Sequence, residues 1–259
     1  MKVPASLVII GDVHGRMDEY MHATRRAEWS LQLGDLGFEY DCLANVDPHR
    51  HRVVAGNHDN YAGEVLDERD IEKAQQRDPT ARFTVNMEGA VVRLIHQTAH
   101  FLGDFGTWSV LSSGVEGGPK EIFYCRGAKS TDKADRTPGT HWFAEEELTE
   151  ARLKAAVELY GRTQPYLVAT HTAPTFLLPQ ILPGTLLRPT RTNDALQRMF
   201  EMHQPKYWLF GHYHIPWGKQ VGGTRFFCLA ELQCAVFNSR LDFQPPIQDA
   251  ASWFVWRDA

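Results

Sequence analysis

The residues able to do chemistry in this sequence each follow an apolar run. They are Asp12 and His14 in LVIIGDVHG, Asp35 in LQLGDLG, Asn57 and His58 in VVAGNHD, His171 in YLVATHTAP, and His212 and His214 in YWLFGHYH. Carboxylate, amide and imidazole donors without a thiolate suit borderline divalent cations such as manganese, iron, cobalt, nickel or zinc. Asp12 with His14, and His212 with His214, are separated by one residue, so each pair can face one side of an extended strand end and pinch an ion. The set holds more donors than one ion needs, which points to two ions with a shared ligand. Two cations about 3.5–4 Å apart suit phosphate-ester hydrolysis, because they clamp the attacking and leaving oxygens of an in-line displacement. Taken singly the motifs are weak, since a strand-end His is more often structural and Gly-Asp is an ordinary turn. Gly103-Asp104-Phe105-Gly106 looks like the Asp35 stretch but lacks such partners and reads as a turn.

Positioning these side chains requires strands that end together. Apolar, β-branched runs predict strands at Leu7–Ile10, Leu31–Leu33, Val53–Ala55, Val91–Ile95, Ile122–Cys125, Tyr166–Ala169, Tyr207–Phe210, Phe226–Leu229 and Trp253–Trp256. Helical periodicity predicts helices over Asp18–Glu28, Glu145–Tyr160 and Asn193–His203. The run Glu145, Glu146, Glu147 and Glu150 reads as a solvated helix start that suits the macrodipole. Strands alternating with helices give an α/β class, in which functional groups gather beyond the carboxyl ends of the strands. Gly103–Phe143 and the apolar, Pro-rich Ala173–Arg191 read as long loops, the second packing on the core or serving as a lid or dimer contact. Without a repeat or linker, residues 1–259 read as one domain.

The ordered blocks GDVHG, GDLG, GNHD, ATHTAP and GHYH resemble the pattern of the calcineurin-like metallophosphoesterase superfamily, in its bacterial or phage form. The resemblance implies a fold of two mixed β-sheets packed as a sandwich and flanked by helices, with two divalent metal ions in strand-end loops. Manganese is the first expectation; iron, zinc, nickel, cobalt or magnesium would also serve. By the same resemblance Asp12, His14 and His214 hold the first ion, Asp35 bridges both, and Asn57, His171 and His212 complete the second site. His58 stands near the leaving group as the catalytic residue, with metal-activated water as nucleophile. The implied activity is hydrolysis of phosphomonoesters or phosphodiesters of a small or nucleotide-type substrate. A protein phosphatase of the superfamily and a non-catalytic scaffold on the same fold are the alternatives.

The match departs from the protein Ser/Thr phosphatases, which follow the second block with an Asp-Arg pair. Here GDLGFEYD places Phe38 and Glu39 there, so the acid that orients His58 is left to Asp59 or Asp41. Phosphate charge must be met by other cations, and Arg16 and Arg126 are the candidates for substrate binding. Lys129, Lys133 and Arg136 read as solvated loop charges.

Composition narrows the class. The chain has 259 residues, 43% hydrophobic, and a formal net charge of −5, which disfavours strong non-specific binding to nucleic acid. Its 4 cysteines form no CxxC pair or disulfide framework, the N-terminal apolar run is too short for a signal peptide, and no stretch approaches a membrane span. These features predict a soluble cytoplasmic protein with a phosphoester substrate and no membrane partner; homo-oligomerisation is left open.

Overall fold

The computed structural model describes residues 7–110, 120–185, 188–238 and 240–244. The predicted strand at Trp253–Trp256 lies outside the described residues. One sheet contains β1 (Leu7–Ile10), β2 (Trp29–Gln32), β3 (His51–Val53), β13 (Cys234–Phe237) and β14 (Phe243–Gln244), in the order β14-β13-β1-β2-β3. The second contains β7 (Phe105–Val110), β8 (Lys120–Cys125), β9 (Leu167–Thr170), β10 (Tyr207–Phe210), β11 (Trp217–Val221) and β12 (Thr224–Cys228), in the order β11-β12-β10-β9-β8-β7. Parallel cores, β1-β2-β3 and β8-β9-β10-β12, are flanked by antiparallel edge strands, so both sheets are mixed.

Both sheets are covered on both faces, which is why their central strands read as unbroken apolar runs. Leu7, Ile9 and Leu31 of the first sheet pack against Ile122, Leu167, Leu209 and Phe227 of the second. Alternate residues face outward: Val8 and Ile10 meet Tyr20 of α1 (Met17–Thr24). On the other side Val168, Trp208 and Phe226 meet Leu153, Ala156 and Tyr160 of α3 (Glu150–Thr163) and Leu196 and Met199 of α5 (Arg191–Met202). The architecture is therefore the predicted sandwich of two mixed sheets flanked by helices.

Several elements differ from the sequence expectation. A third, antiparallel sheet consists of β4 (Gly63–Leu66), β5 (Arg82–Val85) and β6 (Val91–Leu94), and between β4 and β5 the chain forms α2 (Glu68–Arg77), whose N-cap Asp67 accepts from the Arg69 amide. β4 and α2 have largely exposed, polar sequences without the apolar run that marks a buried strand. The predicted loop Gly103–Phe143 includes β7, and the predicted loop Ala173–Arg191 includes α4 (Leu178–Ile181), where Leu178 and Ile181 pack into the core under α5. The helix expected from Glu145 begins at Glu150, capped by the Thr149 hydroxyl, and Glu146 is buried in a short 3₁₀ turn instead of solvated. Among the described residues no helix is long and apolar enough to cross a membrane.

Arg126 and Asp104 belong to this framework. The Arg126 side chain is 2% exposed; its Nε donates to Asp104 Oδ1 at 2.8 Å, Nη2 to Thr84 Oγ1 at 2.7 Å and Nη1 to the Glu145 carbonyl at 2.7 Å. Asp104 Oδ2 accepts from Arg152 Nε at 2.8 Å, and the Tyr61 ring lies under the Arg126 guanidinium at 4.8 Å. Asp104 thus has two arginine partners, and Arg126, expected to meet phosphate, is enclosed by protein acceptors that tie β5, β8 and α3 together. Removing one member of a buried ion pair strands the other, so Arg126→Met should lower unfolding free energy by about 3–5 kcal/mol in urea titrations. The folded fraction should keep the wild-type KM; a raised KM with unchanged stability would restore a substrate role.

Candidate metal centre

The eight side chains sit beyond the carboxyl ends of five strands, all parallel to a neighbour within their sheets. Asp12 and His14 follow β1, Asp35 follows β2, Asn57 and His58 follow β3, His171 follows β9, and His212 and His214 follow β10. The turns are tight enough to drive the backbone into the left-handed region at four of these residues: His14 (φ 49°), Asp35 (56°), His212 (69°) and His214 (53°). Such conformations cost about 1–3 kcal/mol each and persist only where surroundings enforce them, and here they coincide with candidate ligands.

Two donor groups form, with Asp35 common to both: Asp12, His14, Asp35 and His214, and Asp35, His171 and His212. In the first, His14 Nε2 and His214 Nε2 face each other at 2.9 Å, His214 Nε2 is 3.1 Å from Asp12 Oδ2, and His14 Nε2 is 3.8 Å from Asp35 Oδ2. In the second, His171 Nε2 is 3.2 Å from Asp35 Oδ1 and 2.9 Å from Asn57 Oδ1, and the His171 and His212 ring centres are 5.0 Å apart. Ligand-capable atoms converging this closely fit cations of borderline softness. The partner on the far side of the His171 ring fits as well: Nδ1 faces the Leu33 carbonyl at 2.7 Å, which fixes Nδ1 as the donor and makes Nε2 the nitrogen available to a cation. Glu231 Oε1 lies 3.4 Å from His214 Nδ1 and can fix that ring likewise.

The electrostatics follow from crowding these groups out of water. Burial would raise Asp35, but the His171 ring beside it holds its carboxyl well below the usual carboxylate range. Burial also favours neutral His171, yet the Asp35 charge outweighs it and lifts the imidazole to about 9. His212, buried and next to His171, is pushed down to about 3, and burial pushes Asp12 up. A cation in either group would take the place of a proton now shared between carboxylate and imidazole.

Close approach accounts for two of the glycines. A Cβ on Gly56 would run into the Asp35 carboxylate and the His171 ring, and one on Gly211 would run into Asp12, whose carboxylate accepts the His212 amide at 2.9 Å. Asp59, proposed from sequence as a partner of His58, points elsewhere. It is fully buried; Oδ2 accepts from the amides of Gly56 (2.7 Å) and Asp35 (3.0 Å), and Oδ1 from those of Leu36 (2.9 Å) and Gly37 (3.2 Å). It therefore locks the loop after β2 to the loop after β3.

His58 lies at the rim of the donors, 5.3 Å from the His14 ring, with its amide donating to Asp35 Oδ1 at 2.7 Å. Burial lowers its pKa. The carboxylate within reach of its Nε2 is that of Asp132, at 3.9 Å, on a segment where sequence reasoning placed no acid of interest. Arg16 is half exposed, with Nη2 on Glu19 at 3.0 Å and Nη1 3.9 Å from Glu231, the carboxylate that also faces His214. Arg136 is not solvated: its side chain is 9% exposed and its Nη2 donates to the Asn57 carbonyl at 3.1 Å. No spacing signal marks Asp132, Arg136 or Glu231, because each reaches the centre through tertiary contact alone.

A model of the calcineurin-like phosphoesterase family matches residues 5–216, which spans every donor described above. The chain belongs to this family. No curated protein matches it closely enough to count. Among solved structures it is similar to the phosphopantetheinyl hydrolase of Mycobacterium tuberculosis (14% identity, 89% of this chain and 91% of that one, TM-score 0.43). It is also similar to a putative 5′-nucleotidase from Staphylococcus aureus (13% identity, 93% of this chain and 52% of that one, TM-score 0.47). A third likeness is a predicted phosphoesterase from Streptococcus pneumoniae (11% identity, 95% and 97%, TM-score 0.37). The family uses divalent metals to hydrolyse phosphoesters, and the two donor groups are this chain's candidates for holding them.

Two substitutions test how the loops are held. Asp59→Asn cannot accept four amides with one oxygen and should cost about 2–4 kcal/mol by thermal or urea unfolding of the metal-free protein. Gly56→Ala should leave a folded chain with metal content sharply reduced by elemental analysis; normal metal content would show that the β3 turn has room to spare.

Proposed function

We propose that this protein is a dinuclear metal-dependent phosphoesterase acting on a small or nucleotide-type phosphomonoester or phosphodiester. The observation that carries this reading is the pair of donor groups that share Asp35. Asp12, His14 and His214 would hold one ion with Asp35, and Asn57, His171 and His212 the other, with manganese the expected metal. When bound, the two ions supply a Lewis-acid clamp on phosphate oxygens and lower the pKa of water enough to make it a nucleophile at neutral pH.

The protein's own groups then divide the remaining work. Asp35, kept ionised, supplies negative charge to both sites at once. His58, at the open rim and half-buried, would direct to the leaving-group oxygen its Nε2 hydrogen, which faces the Asp132 carboxylate 3.9 Å away when no substrate is bound. Arg16 would be a cation to meet an anionic oxygen of the substrate; its half exposure and its approach to Glu231, the carboxylate facing His214, support that reading. Phe38 and Glu39 in place of an Asp-Arg pair favour a small substrate over a phosphoprotein. The free cysteines Cys42, Cys125, Cys228 and Cys234 accord with a cytoplasmic setting.

The test is leaving-group dependence. His58→Ala should retain bound metal yet lose about 10²–10⁴-fold in kcat on an alkyl phosphate, and much less on p-nitrophenyl phosphate, whose leaving group needs little help. Equal losses on both substrates would remove His58 from the leaving group. Comparing p-nitrophenyl phosphate with its bis-ester, followed by a nucleotide panel, separates monoesterase from diesterase; metal-loaded protein inert on all of them would favour a scaffold.

A further inference from the structure

The segment after β8 returns to the metal centre and grips Asn57. Gly127 donates its amide to the Ala55 carbonyl at 2.9 Å, and the Ala128 amide donates to the Glu146 carbonyl at 3.1 Å, which brings Ser130, Arg136 and Glu146 against the loop after β3. Ser130 and Glu146 are each 2% exposed. Ser130 Oγ has three partners: Glu146 Oε2 at 2.5 Å, Arg136 Nη1 at 2.6 Å and Asn57 Nδ2 at 3.0 Å. Arg136 also holds the Asn57 carbonyl and lies 3.4 Å from Glu146 Oε1, which in turn accepts the Phe143 amide at 3.1 Å.

Donor and acceptor capacity dictates how this cluster is wired. A hydroxyl has one hydrogen to give and two lone pairs to accept with, a guanidinium only donates, and a carboxylate only accepts. Arg136 must therefore donate to Ser130, and Ser130 must give its single hydrogen to Glu146 as long as Glu146 is ionised, which holds above the value of about 7 to which burial raises it. The remaining lone pair can only accept, so Asn57 has to present its NH₂ to Ser130. Its oxygen is then turned the other way, toward His171 Nε2 at 2.9 Å and the second donor group. The wiring resolves the amide's orientation without any appeal to the shape of the amide itself.

We propose that Ser130, Glu146 and Arg136 form a polar brace that fixes the Asn57 amide with its oxygen facing the second metal site, and so sets the affinity of that site selectively. These are positioning residues, and the proposal rests on the reading of Asn57 as a ligand. Loss of an outer-shell partner typically weakens metal binding about 10–100-fold. Glu146→Gln should act in the same direction as Ser130→Ala, because a carboxamide can donate to Ser130, freeing the hydroxyl hydrogen for Asn57 and turning the amide over.

The experiment is manganese titration of the full-length apo-protein, with calorimetry for the two affinities and electron paramagnetic resonance for the spin-coupled pair. Ser130→Ala and Glu146→Gln should bind the first ion as wild type does and the second about 10–100-fold more weakly, with the coupled signal appearing only at correspondingly higher manganese. Asn57→Ala is the reference. If it loses the second ion while both brace variants bind like wild type, the brace is overturned and the functional reading stands. If Asn57→Ala keeps the second ion, Asn57 is not a ligand and the brace falls, while the functional reading, carried by the donor groups that share Asp35, stands. An equal loss of both ions in the brace variants would mark a general structural role and overturn the proposal.

Discussion

The structure depends on placing one ionised carboxylate, that of Asp35, where two groups of donors can share it. Every other feature of the centre follows from that demand. A buried carboxylate is costly unless charge and hydrogen bonds compensate, and here His171 lies against one oxygen, the His58 amide donates to that same oxygen, and His14 approaches the other. The left-handed turn that aims Asp35 inward is itself held by Asp59, which gathers amides from the loops that follow the paired strands β2 and β3. Glycine at position 56 is a consequence, because the carboxylate fills the space a side chain would need.

The sheets supply what the turns cannot. Five strands deliver candidate ligands over a span from Asp12 to His214, and they can meet because the parallel cores of two packed sheets end on the same side. The buried faces of β1, β2, β9 and β10 leave those ends little freedom. The covering layers are then recruited for fine control: the segment carrying Ser130 and Glu146 bridges β8 and α3, and reaches across to the loop after β3.

How much of this was legible in the sequence depends on where each signal came from. The candidate ligands were visible because each one interrupts an apolar run, and a strand buried on both faces writes its end plainly into the sequence. Two packed mixed sheets followed from the family resemblance, and the core confirms them. Edge strands such as β4 and β11 were not legible, since half-exposed strands carry polar residues that look like loop. Arg126 was misread as a phosphate contact because a cation after a strand looks the same whether its partner is substrate or a buried Asp104. Glu146 and Arg136 were misread as solvated for the same reason, since their pairing is made across distant segments. Asp132, which approaches His58 from that same region, carried no local signal at all.

The central claim is that two ions share Asp35. Anomalous diffraction at the manganese edge, from crystals of the metal-loaded protein, tests it most directly. The account predicts two peaks about 3.5–4 Å apart, with Asp35 between them and Asn57 Oδ1 facing the one nearer His171. A single peak, or two peaks of which only one touches Asp35, would contradict it.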